Sequence, residues 1–199
     1  GAFCFAWGVH MATYSDNFNR ASLGTGWTAV NSGTWAIASS TYLSQSLSGG
    51  VYRGLRYNSV LDTNDIDVSV RAYSNSNSTG VGILVRAPNS GTALTDLDGY
   101  GIVFFPGDTF YLLRFDNGSD GGVGYGYTYG TPSTNTYYTL RITVQGSTVT
   151  GYIDGVQRFQ FTDTTYTGTG NRSVALLSYG NTPRYDDFSA QDIVSSQTI

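Results

Sequence analysis

Lysine and glutamate are both missing from these 199 residues; all ten cations are arginine and all fourteen anions aspartate. Helices draw on Glu, Lys, Gln, Ala and Leu, whereas strands and turns favour aromatic, β-branched, Gly and Asn residues, so the gap predicts an all-β chain. A single cysteine, Cys4, excludes an internal disulfide, and with one histidine, His10, a Cys/His zinc site lacks ligands. The same scarcity leaves a Ser-His-Asp triad with no base but His10 and a thiol nucleophile with no residue but Cys4. No run reaches the roughly 20 apolar residues of a membrane-spanning helix, which predicts a soluble protein. The arginines are scattered under a formal net charge of -4, so the basic stripe of a nucleic-acid binder is absent and no nucleic-acid partner is expected.

What the chain has in abundance is Gly and aromatic residues, with 16 Tyr, 10 Phe and 3 Trp. From Asp16 onward, short alternating runs are broken by turn signals. In "YGIVFFPGDTFYLLRFDNG", strands near 100 to 105 and 109 to 115 are closed by Pro106-Gly107-Asp108 into a hairpin. In "YYTLRITVQGSTVTGYIDGVQRFQF", Tyr138, Leu140, Ile142 and Val144 share one face and Arg141 and Thr143 the other, with turn pairs at Gln145-Gly146 and Asp154-Gly155. "DVSVRAYS", "GVGILVRA" and "SVALLSYG" supply further strands, and only "TALTDLDG" has even a weak helical pattern. About a dozen strands are too many for one flat sheet, so two antiparallel sheets should stack as a jelly-roll sandwich.

The domain division expected is a segment 1–10, "GAFCFAWGVH", and a single jelly-roll domain over 11–199. The first ten residues lack the basic start and apolar run of a signal peptide, and read as an appended remnant before Met11 or as an N-terminal arm that packs elsewhere. Asn77, Asn117 and Asn171 each open an N-x-S/T triplet, which matters only in a secretory pathway.

"YSDNFNRASLGTGWTAVNSGTWAI", "YTLRITVQGSTVTGYIDGV", "FTDTTYTGTGNRSVALLS" and the closing "RYDDFSA" occur in an order that resembles concanavalin A-like, laminin-G-like jelly-roll domains of bacterial secreted and phage virion proteins. The resemblance covers roughly residues 14 to 192. It implies that the opening D-N-F strand lies beside the closing D-D-F strand, bringing Asp16 close to Asp186 and Asp187. It fixes function only loosely, because this sandwich hosts lectins, glycosidases and structural parts.

The catalytic relatives the resemblance brings in are glycosidases of the laminarinase type, with a pair of glutamates on one strand. Their chemistry needs one carboxyl protonated and one ionised, and this chain has no glutamate. Asp65 with Asp67 and Asp96 with Asp98 have the spacing of two carboxylates on one strand face, but Asp also caps turns through its own backbone. A non-enzyme is expected.

Calcium takes six to eight oxygen ligands. "DNGSDGG" (Asp116, Asn117, Asp120) and "TDLDG" (Asp96, Asp98) supply some without completing a calcium loop. The resemblance adds Asp16 and Asp187, since related jelly rolls often keep a calcium near the joined chain ends. All three sets also read as solvated turns, which suit Asp and Asn, so no cofactor is required and calcium is the one candidate.

"GYGYTYG", residues 124 to 130, sets Tyr125, Tyr127 and Tyr129 on one strand face with little on the other. Such a strand suits a sheet edge, where its rings either pack or present an aromatic surface to a sugar. With Arg53 or Arg56 these tyrosines form the expected ligand surface. The leading expectation is a lectin-like module binding glycans for adhesion, outside a cell or on a virion surface. The competing one is a structural phage virion protein, a capsid decoration, tail or fibre component, whose partner is another virion protein or a second copy in a homo-oligomer.

Overall fold

In the computed structural model the described residues are 11–47, 49–119, 127–180 and 182–193. The expectations for residues 1–10, His10 and Cys4 among them, and for Asp120 and Tyr125 lie outside them, and of Tyr127 only the backbone is described. In chain order the strands are β1 (Thr13–Asp16), β2 (Trp27–Val30), β3 (Trp35–Ala38), β4 (Tyr42–Gln45), β5 (Tyr52–Tyr57), β6 (Ile66–Ser74), β7 (Gly80–Ala87) and β8 (Gly99–Phe104). They continue with β9 (Phe110–Phe115), β10 (Tyr127–Tyr129), β11 (Thr136–Gln145), β12 (Thr148–Ile153), β13 (Val156–Thr162), β14 (Ser173–Tyr179) and β15 (Arg184–Asp192). The weak helical signal in "TALTDLDG" is one 3-10 turn, Leu94–Asp96.

All pairings are antiparallel and build two sheets. One runs β13-β12-β11-β6-β15-β4-β3 with β1 attached to β15; the other runs β10-β9-β8-β7-β14-β5-β2. The first and last strands pair as the resemblance implied, with Asp16 opposite Phe188. The turns follow their residues. Pro106 precedes Gly107 at φ 79, and the Asp108 amide donates to the Phe105 carbonyl, the pattern of a type II turn. Asp154 and Gly155 both take positive φ, as a two-residue hairpin loop requires. The preceding loop is Gly146-Ser147, one residue later than Gln145-Gly146, because Gln145 still pairs with Thr148.

Alternation decides the layers. In β6 and β11, Val68, Val70, Leu140 and Ile142 face the other sheet, while Asp67, Arg71 and Arg141 face outward. From the seven-stranded sheet, Ile83, Ile102, Leu112 and Leu176 meet them, and Trp27 and Trp35 fill the core as well. The outer face of that second sheet is itself apolar: Leu84, Val103, Leu113, Phe115 and Leu177 form a separate cluster roofed by Leu97. Strands apolar on both faces need cover on both. Among the described residues, segment 88–98 covers only part of this face.

Candidate functional site

The part of that apolar face that no described residue covers is a cleft of about 720 Å³. Its walls come from separated stretches of chain: Tyr52 at the start of β5, Tyr179 at the end of β14, Phe105 and Asp108 in the β8–β9 turn, and Tyr111 in β9. Phe105 meets Tyr179 at 5.6 Å and 68°, Tyr179 meets Tyr52 at 5.1 Å and 63°, and Tyr52 meets Phe115 at 5.0 Å and 88°. Tyr111 completes the row against Phe105 at 6.2 Å and 83°. Edge-to-face contacts of this kind hold rings in place, so the wall is preorganised.

Gly80 makes room for it: a Cβ there would lie 2.4 Å from Cζ of Phe105. At the rim the Tyr111 hydroxyl donates to Asp108 Oδ2 at 2.5 Å, and Asn117 and Ser119 add polar groups. Chemically this is an apolar, ring-lined trough with hydroxyl, amide and carboxylate groups at its mouth.

Of the sequence-expected ligand residues, Tyr129, Arg53 and Arg56 do not line this cleft. The described part of the tyrosine stripe, Tyr127–Tyr129, is β10, at the edge of its sheet among the described residues. Tyr129 pairs with Phe110, stands 6.4 Å from the Phe159 ring and is covered by Arg158 at 4.2 Å, at the rim between the sheets. Tyr127 pairs through its backbone with Leu112.

Arg53 and Arg56 are not a surface pair. Three positions apart in β5, they point to opposite faces, and both are buried. Arg56 donates to the Gly91 carbonyl beneath segment 88–98, where burial lowers its pKa against the opposing field of Asp96. Arg53 lies against the Val51 carbonyl.

Asp16 and Asp187 do line one cleft, of about 690 Å³, with Asn17, Arg20, Trp27 and Tyr57. Both Asp16 oxygens are already engaged: Arg20 binds them at 2.5 and 2.7 Å, Trp27 Nε1 donates at 2.8 Å and the Phe18 amide at 2.8 Å. Burial would raise the Asp16 pKa, but these donors outweigh it and hold it below the usual carboxylate range. A cation at Asp16 would have to displace Arg20. Asp187, in the β15 bulge at φ 48, faces Arg71 at 3.3 Å. Among the described residues no three His, Cys, Asp or Glu side chains are grouped to hold a metal.

The paired aspartates of the sequence are turn and ion-pair groups. Asp65 accepts the Gly146 amide, Asp67 binds Arg141 in bidentate fashion, Asp96 accepts the Ala93 amide and Asp98 the Asn117 amide. Asp96 sits in the 3-10 turn and not on a strand, so the inferred strand face for Asp96 and Asp98 does not exist. Sequence reading passed over Tyr52, Phe105, Tyr111 and Tyr179. One signal was available: "GVGILVRA", "FYLLRF" and "SVALLSY" are apolar on both faces, which marks a sheet with something on its outside.

No protein-family model and no curated protein sequence matches the chain. Among solved structures it is similar to the carbohydrate binding module CBM66 from Bacillus subtilis, at 19% identity and a TM-score of 0.66 over 84% of this chain and 96% of that one. It is similar to the VIP36 exoplasmic/lumenal domain in its Ca2+-bound form, at 12% identity and a TM-score of 0.63 over 92% and 91%. It also matches part of a sialidase, at 10% identity and a TM-score of 0.67 over 91% of this chain and 18% of that one. The chain has the concanavalin A-like, laminin-G-like jelly-roll fold.

Proposed function

We propose that this jelly roll is a non-catalytic glycan-binding module whose site is the aromatic cleft on the outer face of the seven-stranded sheet. The observation that carries the reading is the preorganised wall of Tyr52, Tyr179, Phe105 and Tyr111 beside polar groups at one mouth. Ring faces suit the C–H faces of a sugar, and the polar rim suits its hydroxyls. Similarity to the CBM66 module and the VIP36 domain supports the same direction. Glycoside hydrolysis needs two carboxyl groups astride the bond, and among the described lining residues this cleft has one, Asp108. The module would act in adhesion outside a cell or on a virion surface.

The test is a glycan array probed with the intact chain, with calcium and with chelator because the VIP36 domain is a Ca2+-bound form. It runs beside Tyr111→Ala with Tyr179→Ala, and separately Tyr129→Ala. The expected result is binding by wild type and by Tyr129→Ala, and at least tenfold weaker binding by the folded cleft variant. A blank array from folded wild type refutes the reading and favours the virion-structure alternative. Loss only in Tyr129→Ala moves the site to the sheet edge.

A further inference from the structure

The charge lining the cleft carries information on its ligand, given the glycan-binding reading on which this step rests. Of the described residues around it, Gly50, Val51, Leu94, Leu113 and Gly118 are uncharged, the aromatic wall is uncharged, and Asp108 is the one ionisable carboxylate. Among the described residues no arginine lines it. The two arginines of β5 do not supply a cation, because Arg56 is buried on the Gly91 carbonyl and Arg53 points to the opposite face. Arg114 in β9 also faces the opposite side, committed to Asp116 and Asp163 at 2.9 and 2.8 Å.

Asp108 is held where a ligand would meet it. The Pro106-Gly107 turn lifts it off the sheet, and the Tyr111 hydroxyl engages Oδ2 alone. Among the described residues no donor engages Oδ1, which leaves it to accept hydroxyl protons. A carboxylate accepts strongly from neutral donors and repels an anion.

We infer that the cleft selects uncharged glycans, with Asp108 as the specificity-determining residue that accepts sugar hydroxyls and rejects sialylated, sulfated or uronic-acid ligands. Asp108 is an exposed turn residue, so Asp108→Asn leaves the fold intact, and the amide oxygen still accepts the Tyr111 hydroxyl. The experiment compares matched neutral and acidic glycans of one core on wild type and Asp108→Asn, at about 20 mM and about 500 mM salt, since screening separates a field effect from shape.

Wild type is expected to prefer the neutral member about tenfold at low salt, equivalent to about 1.4 kcal/mol. The preference should fall below about threefold in high salt and in Asp108→Asn. Equal or tighter binding of the acidic member by wild type overturns the inference while leaving glycan binding standing. So does an unchanged preference in folded Asp108→Asn. A blank array with both sets overturns the glycan reading itself, and this inference falls with it.

Discussion

Asp163, just beyond β13, ties the two sheets together through a buried carboxylate. It accepts the Tyr100 hydroxyl from β8 at 2.6 Å, Arg114 Nη1 from β9 at 2.8 Å and the Thr165 amide at 2.7 Å, and its side chain is 4% exposed. Burial alone would raise its pKa; the hydrogen bonds outweigh that and pull it from 3.8 down to about 2.

A folded-state pKa below the unfolded one means that the group adds stability above the unfolded value, lost as pH falls through the folded one. The window is therefore from about pH 4 down to about pH 2. A difference of this size corresponds to about 2 kcal/mol at pH 7. Asp163→Asn keeps the shape and an acceptor but removes the titration. Urea unfolding followed by tryptophan fluorescence should show wild type about 2 kcal/mol more stable than the variant at pH 7 and roughly half as much at pH 3. Stability curves of wild type and variant that run parallel from pH 7 to pH 3 would refute the assignment.

Two further substitutions test the packing. Tyr185 is fully buried in β15 and its hydroxyl donates to the Leu177 carbonyl of the opposite sheet, so Tyr185→Phe should cost about 1 to 2 kcal/mol in urea unfolding. A Cβ at Gly80 would collide with Phe105, so Gly80→Ala should cost about 1 to 3 kcal/mol, and much less in a Phe105→Ala background. Equal costs in the two backgrounds would show that the ring is not what excludes the methyl group.

Much of the fold was legible because its signals are local. The Pro106-Gly107-Asp108 turn, the alternation of Leu140, Ile142 and Val144 and the type of residue on each strand depend only on near neighbours, and each appears in the structure as read. Of the tyrosine stripe, Tyr127–Tyr129 was legible as an edge strand for the same reason. The resemblance, and not periodicity, placed the first strand beside the last. The fate of individual polar groups was harder to read. Arg20 takes the Asp16 carboxylate only because the turn after β1 folds back, and nothing in the spacing of Asp16 and Asp187 distinguishes that from a metal site.

By itself the sequence determined an all-β chain of short strands in two sheets, with one cysteine, one histidine and no glutamate. Residue propensity and period-two alternation act at every position along the chain. Only the tertiary structure decided where a ligand would sit. Tyr52, Phe105, Tyr111 and Tyr179 become neighbours through the order β9-β8-β7-β14-β5, a long-range pairing. Among the described residues, segment 88–98 leaves one end of that face open, and that opening makes an apolar sheet surface into a cleft.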